Sequence, residues 1–385
     1  MGSDESYDLE TAALNRGRWG MMRKILFQIH LWCGLVIGLF LVFQSVTGSF
    51  VAFRHAGNHW LHHDEMIVEP MDSSMLPMST VLKSFSQQFP DIPHNVLSVM
   101  YPQASDEVYF IRVWDNAPAP NLYVSMNPYT GEVTGWGSKY QYPFELMFRL
   151  HEQISMGTPG INAVHMGSFL MLLMALSGLY LWWPRRESLK QALTIKRKPL
   201  RRFLFGLHRV TGAYAFLLLF VVALSGKMIF GLLTMPSIGL GAPGGFGSAA
   251  SAVANAETVG GPVSIDALVV TAREKFPNDR IRDLSYIRLN RAVAVVTFID
   301  RDSPNVRALN RVFFQRHSGE VISVQDWDDL AGIPLAEDWA FPIHSGEILG
   351  SLGQFLVLLS GLVMPFLFIT GAWLWVKKRK SGSPV

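Results

Sequence analysis

The chain has a single cysteine, Cys33, among 385 residues. One thiol forms no disulfide and no Cys-rich metal or iron–sulfur centre within one chain. Charge is scarce too, at 16% Asp, Glu, Lys and Arg against 49% apolar residues. That balance suits a membrane protein with soluble parts, and the net charge of +3 gives no reason to invoke nucleic acid. No glycine cluster sits in the strand–GxGxxG–helix context of a phosphate cradle, so no nicotinamide or flavin site is expected. Any redox centre must use other ligands, and its electrons must come from another molecule.

Four apolar runs, 25–53, 161–183, 203–232 and 347–376, each exceed the roughly 20 residues needed to span a bilayer. The first is too long for a signal peptide and lacks a small-residue cleavage site, so it reads as an uncleaved anchor. The tail 1–24, the link 184–202 and the end 377–385 hold sixteen Lys and Arg in 52 residues. The connections 54–160 and 233–346 hold fifteen in 221. Both termini and the link should therefore be cytoplasmic, with the long connections outside, in the periplasm of a Gram-negative inner membrane.

The sequence repeats. IHLWCGLVIGLFLVFQSVTG (29–48) matches LHRVTGAYAFLLLFVVALSG (207–226): His30 precedes Gly34 by four and Gly48 by eighteen, as His208 precedes Gly212 and Gly226. Eighteen residues are five helical turns, so histidine and glycines share a face. HEQISMGTPG from His151 and HSGEILGSLG from His344 both read H-x5-G-x2-G, with Gly178 and Gly371 eighteen residues further on. Those glycines open GLYLWWPRR and GAWLWVKKR, aromatic and basic exits at the cytoplasmic interface. Outside, VLKSFSQQFP (81–90) echoes VVTAREKFP (269–277), and NLYVSMNPYTGEVTG (121–135) echoes RVFFQRHSGEVISV (311–324). Each outer segment is expected to be a small α+β domain, a helix packed on an antiparallel sheet with a hairpin turn. The whole reads as an internally duplicated α-helical membrane protein with four transmembrane helices. The stretch 231–262, rich in Gly, Ala, Ser and Pro, has no counterpart; it reads as a flexible insertion or a lid over a substrate.

An ionisable residue inside a span is a functional-site hypothesis. A lone His208 would serve as a cap near the headgroups, but two equivalent histidines with glycines on the same face suit a large flat ligand lying against the helices. Neutral imidazole is a haem-iron ligand. A b-type haem is expected between His30 and His208 near the cytoplasmic side, packed by Gly34, Gly48, Gly212 and Gly226, with Arg209, Arg23 or Lys24 near its propionates. The competing role for these glycines is close approach of the first and third spans. His151 and His344 form the matching outer pair, for a second bis-histidine haem. His165, about 27 Å of helix from Trp183, lacks a repeat partner and is the reserve ligand. Arg54 and Lys227, at the outer ends of the first and third spans, either snorkel or pair with propionates.

HAGNHWLHHDE (55–65) places His55, His59 and His62 or His63 along one helix face, suited to Cu, Zn or Fe, or else forms a polar helix cap. The methionines read as apolar filling. Trp114, Tyr140, Trp327 and Trp339 are candidate surface aromatics or packing residues.

The repeated motifs, in this order and with the YTGEV and HSGEV turns, resemble those of the PepSY-associated transmembrane proteins over nearly all of the chain beyond residue 20. Within that family the chain looks most like the inner-membrane ferric-siderophore (ferrioxamine) reductases. The resemblance implies PepSY-like outer domains, two haems carried by His30, His151, His208 and His344, and reduction of ferric siderophore in the periplasm to free Fe(II) for uptake. A cytoplasmic or quinol electron donor is implied. Rival readings are a haem-free PepSY binding or regulatory module, a metal-sensing membrane protein and a general quinol-linked b-type cytochrome.

Overall fold

The computed structural model describes residues 21–90, 96–113, 122–184, 188–229, 263–286, 293–300, 303 and 305–380. It forms two compact units. One holds the chain up to Ala52, Leu150–Lys227 and the chain from Leu349 on; the other holds Phe53–Arg149 and Met228–Ile348. The insertion 231–262 and Trp114 lie outside the described residues.

The first unit is helical. Pro159–Trp182, Leu200–Ile229 and Glu347–Lys377 are each long and apolar enough to cross a membrane. The first expected span departs from a straight rod: Met21–Val36 and Gly38–Val51 meet at a 61° bend at Ile37. The bend falls between Gly34 and Gly38, where a missing side chain lets neighbours approach. A Cβ on Gly34 would meet Met174, and one on Gly38 the ring of Phe368. Counting the bent pair as one, the described residues hold four segments long and apolar enough to span a membrane.

Their contacts run in opposite senses. Between the first and second spans, His30 meets Ser177 and Phe40 faces Gly167, while Thr47 meets His151 of the helix Pro143–Gln153 that precedes the second span. Between the first and fourth, Trp32 packs edge-on to Trp375, Gly38 faces Phe368, and Gln354 Nε2 donates to the Ala52 carbonyl at 2.8 Å. Between the third and fourth, His208 meets Thr370. Neighbouring spans are therefore antiparallel. Gly361 against Ser49 and Ser45 adds the small-residue packing that lets helix backbones close up without a hydrophobic drive. Val36, Leu39, Leu217, Leu362 and Ile369 stay exposed on the helices, as lipid-facing side chains do.

The second unit is built on eight strands: β1 Val96–Met100, β2 Tyr109–Val113, β3 Leu122–Met126, β4 Val133–Ser138, β5 Arg280–Tyr286, β6 Val293–Ile299, β7 Leu309–Gln315 and β8 Val321–Gln325. Each half repeats the expected plan. Met78, Val81 and Phe85 of the helix Met78–Gln88 pack on Val99, Ile111, Val124 and Met126. Leu268 and Ala272 of Ile265–Lys275 pack on Leu284, Val296, Phe298, Val312 and Phe314. Alternate residues turn to one face, as the two-residue strand period requires. The hairpins at YTGEV and HSGEV close alike: Gly131 N–H donates to the Asn127 carbonyl at 2.9 Å, and Gly319 N–H to the Gln315 carbonyl at 2.8 Å.

Two separate small α+β domains at 54–160 and 233–346 were expected, and here the structure corrects the reading. The strands form one antiparallel sheet in the order β4-β3-β2-β1-β5-β6-β7-β8. β1 and β5 pair with Ser98 opposite Ser285, Val99 opposite Leu284 and Met100 opposite Asp283. Arg280 donates to the Gln103 carbonyl, and Gln103 to the Ile281 carbonyl, just beyond that pairing. An exposed strand edge is a row of unpaired backbone groups, and joining the two halves edge to edge removes one from each.

Candidate functional site

Three of the sequence-predicted histidines lie in the helical unit with Nδ1 of each ring in a hydrogen bond. His30 Nδ1 is 2.9 Å from Ser177 Oγ, and that hydroxyl donates its own proton to the Met174 carbonyl at 3.1 Å. With the hydroxyl proton on that carbonyl, the serine oxygen accepts from the ring, which puts the imidazole proton on Nδ1 and the lone pair on Nε2. His208 repeats the arrangement. Its Nδ1 is 2.9 Å from Thr370 Oγ1, which donates to the Phe366 carbonyl at 2.8 Å. His151 Nδ1 donates to the Gln44 carbonyl at 3.0 Å, with Thr47 Oγ1 at 3.4 Å. A carbonyl only accepts, so this ring has the same tautomer. An imidazole that donates from Nδ1 and presents Nε2 is oriented as a metal ligand, and the hydrogen bond raises its basicity.

Glycines stand against these rings. A Cβ on Gly178 would lie 3.2 Å from His30 Cε1, one on Gly371 3.3 Å from His208 Cε1, and one on Gly48 2.8 Å from His151 Cε1. Gly48 was expected on the helix face of His30, and the ring it stands against is that of His151. Gly34 opens onto Met174 and Gly212 onto Leu367, while Gly226 is buried near the end of the third span. The first glycine of H-x5-G-x2-G serves a turn: Gly157 and Gly350 both adopt positive φ, +67° and +57°.

The hydroxyl partners were missed, although the sequence carried a signal. Each of the four repeated glycines follows a hydroxyl residue: Thr47–Gly48, Ser177–Gly178, Ser225–Gly226 and Thr370–Gly371. In the pairs at 47–48, 177–178 and 370–371, one residue meets the ring nitrogen and the next leaves room for the ring edge.

His30 and His208 lie within electrostatic range of each other. The Gln44 side-chain amide, on the residue whose carbonyl accepts from His151, is buried with neither its oxygen nor its nitrogen hydrogen-bonded among the described residues. Such a group is satisfied by a ligand or ordered water. His165 is only 5% exposed and lies within electrostatic range of Lys227, itself 4% exposed. Arg23 donates to the Leu181 carbonyl at 2.6 Å, and Arg209 reaches the Gln191 carbonyl at 3.5 Å. An apolar hollow of about 280 Å³ lined by Leu176, Leu179, Tyr180 and Trp183 contains none of the imidazoles.

His344 belongs to the sheet-bearing unit, in the last turn of the helix Gly332–Ser345. Arg54, expected to snorkel or to pair with a propionate, donates to both carboxylate oxygens of Glu145, at 2.6 and 3.1 Å, and lies over Phe148. Asn58 donates to the same carboxylate at 3.1 Å, and Arg112 is 3.7 Å away. Burial alone would raise the Glu145 carboxyl; Arg54, Arg112 and Arg149 outweigh it and hold it below the usual range. Asp338 stands 193 residues later, likewise six residues before its histidine. It accepts from Trp327 Nε1 at 2.8 Å and lies 3.9 Å from Arg311, but there burial wins and the carboxyl is raised.

The run 55–65 is not one helix. Arg54–Leu61 ends at His62, which turns to Glu65 at 3.4 Å and packs at a tilt against Tyr142. His62 therefore leaves the face shared by His55 and His59, and His63 opens a separate short turn. Trp327 packs edge-on to Trp339, whereas Tyr140 is 67% exposed, as is Trp60 at 79%.

No match was found among curated proteins. The family model described as "PepSY-associated TM region" matches residues 27–378. With its apolar helices, its repeated histidine motifs and a match across nearly its whole length, the chain belongs to the PepSY-associated TM family.

Proposed function

We propose that this protein is a di-haem reductase of the bacterial inner membrane that reduces ferric siderophore in the periplasm. The observation that carries the reading is the common posture of His30, His208 and His151: Nδ1–H donated, Nε2 carrying the lone pair, a glycine at the ring edge. His30 and His208 would hold one b-type haem towards the cytoplasmic end. His151 would hold a second towards the outer end, with His165 in reserve; His344 matches His151 in the sequence repeat. Bound there, the haems supply one-electron transfer.

The chain's own residues supply the rest. Ser177, Thr370 and the Gln44 carbonyl fix tautomer and ring orientation. Gly48, Gly178 and Gly371 keep side chains off the ring edges. The orphaned Gln44 amide offers a donor and an acceptor to whatever lies beside His151. Arg23, Lys24 and Arg209 bring positive charge to one end of the spans and Lys227 to the other, suited to propionates. The antiparallel spans gather the basic segments at one end, which supports cytoplasmic termini and a periplasmic sheet unit. Trp60 and Tyr140 offer exposed aromatic surface for docking outside. Hydroxamate oxygens prefer hard Fe(III), so gain of one electron loosens the chelate and frees Fe(II). The electron comes from a quinol or a cytoplasmic donor.

The test is the visible spectrum of purified protein, reduced and then mixed with ferrioxamine. The reading expects haem bands that reoxidise. A colourless protein would favour the haem-free PepSY module, and haem that the ferric hydroxamate leaves reduced would favour a general quinol-linked cytochrome.

A further inference from the structure

We propose that His55, His59 and Glu107 form a mononuclear site for a divalent first-row transition cation of the Zn(II) or Fe(II) kind, independent of the imidazoles in the spans. All three lie in the sheet-bearing unit. His55 and His59 are one helical turn apart on Arg54–Leu61, with ring centroids 4.3 Å apart, so the i,i+4 spacing places both imidazoles on one face.

Glu107 arrives from a segment some fifty residues on and is held from three directions. Its Oε2 accepts from the Gln103 backbone N–H at 2.8 Å, its own N–H donates to the Ala104 carbonyl at 3.3 Å, and it bridges Ile67 in antiparallel fashion. The other carboxylate oxygen, Oε1, is left 3.7 Å from His55 Nε2. That is too long for a hydrogen bond. Two ligand atoms about 2.1 Å from a shared tetrahedral ion stand roughly 3.4 Å apart, close to the distance found. One ligand atom from each of the three residues lies within 4.8 Å of the other two.

The donor set decides the class of ion. Two imidazole nitrogens and one carboxylate suit zinc and its first-row neighbours, whereas Mg(II) and Ca(II) want oxygen alone. Asp106 lies within electrostatic range of His59 and adds negative charge. Three protein ligands leave a position open to water or an incoming donor, unlike the closed four-ligand shell of a structural site. His55 is exposed, so the site exchanges its ion with solution.

The experiment uses full-length protein in detergent, stripped with chelator and dialysed to equilibrium against Zn(II) alone. Wild type should bind one equivalent that the His55→Gln/His59→Gln double variant loses and Glu107→Gln holds more weakly. Equal Zn(II) on wild type and double variant would overturn the site. Should the variants fail to fold, wild type answers by itself. Saturating Zn(II) should shield His55 and His59 from diethyl pyrocarbonate, read by mass spectrometry, and undiminished modification of both overturns the proposal.

Discussion

The imidazole of His30 gives its Nδ1 proton to Ser177 across two spans, at 2.9 Å, and His208 does the same to Thr370 at the same distance. Both hydroxyls pass their own protons to a carbonyl one turn back on the same helix. If these rings are ligands, the hydroxyls tune them without touching the metal. Ser177→Ala and Thr370→Val should each lower haem affinity by about tenfold and raise the midpoint potential, because a less basic imidazole favours the ferric state less. Titration of haem into the apoprotein and redox potentiometry check this. Unchanged affinity and potential in both variants would refute the role.

Ring-edge space gives a second prediction. A methyl group at position 178 or 371 would sit 3.2 or 3.3 Å from a Cε1 carbon, a contact the ring can relieve by a few tenths of an ångström. Gly178→Ala and Gly371→Ala should keep most haem absorbance, whereas Gly178→Val and Gly371→Val should displace the imidazole and lose the cytoplasmic-side haem. Valine variants with wild-type spectra would show that the space is incidental.

A third concerns the buried carboxylate of the sheet unit. Glu145 has its carboxyl held below the usual range, chiefly because Arg54 and Arg112 outweigh burial. The ionised form is thus favoured by folding, so its contribution is complete above the unfolded value near 4.5 and disappears as pH falls through the lower folded value. Glu145→Gln leaves buried arginines without their counter-charge and should cost roughly 3 kcal/mol at pH 7. It should also flatten the loss of stability below pH 4.5. Thermal unfolding across pH measures both, and a variant with the wild-type midpoint at neutral pH would contradict the assignment.

The sheet junction gives a fourth. Ser98 and Ser285 are paired across β1 and β5, and antiparallel partners lie about 4.5–5.5 Å apart at Cα, within disulfide reach. In a Cys33→Ser background, Ser98→Cys with Ser285→Cys should crosslink in the oxidised protein and shift its mobility on a non-reducing gel. Absence of the crosslink would return the outer segments to two separate sheets.

Features that depend on local pattern were legible in the sequence. The spans follow from run length, the helix-on-sheet halves from alternation, the hairpins from YTGEV and HSGEV. The β1–β5 join was not, because VLSVM and RIRDLSY are short, lie far apart in sequence, and carry nothing in their own pattern that names the partner strand. For the candidate site, the histidines announced themselves by repetition, but Ser177 and Thr370 matter through a contact between helices. Gly48 and Gly178 were visible as repeats, but the rings they stand against were not, since same-face spacing on one helix says nothing about which helix packs there. His62 dropped out because the helix ends at Leu61, a boundary that the polar run HHDE hides. Glu107 could not be foreseen, since a loop held by Gln103 and Ile67 brings it to the histidines.

A haem count per polypeptide by pyridine haemochrome assay measures directly whether the imidazoles carry haem. Two per chain are predicted for wild type and one for His30→Ala or His208→Ala, with the chain still folded. A colourless wild type, or variants that keep the full complement and an unchanged bis-histidine spectrum, would contradict it.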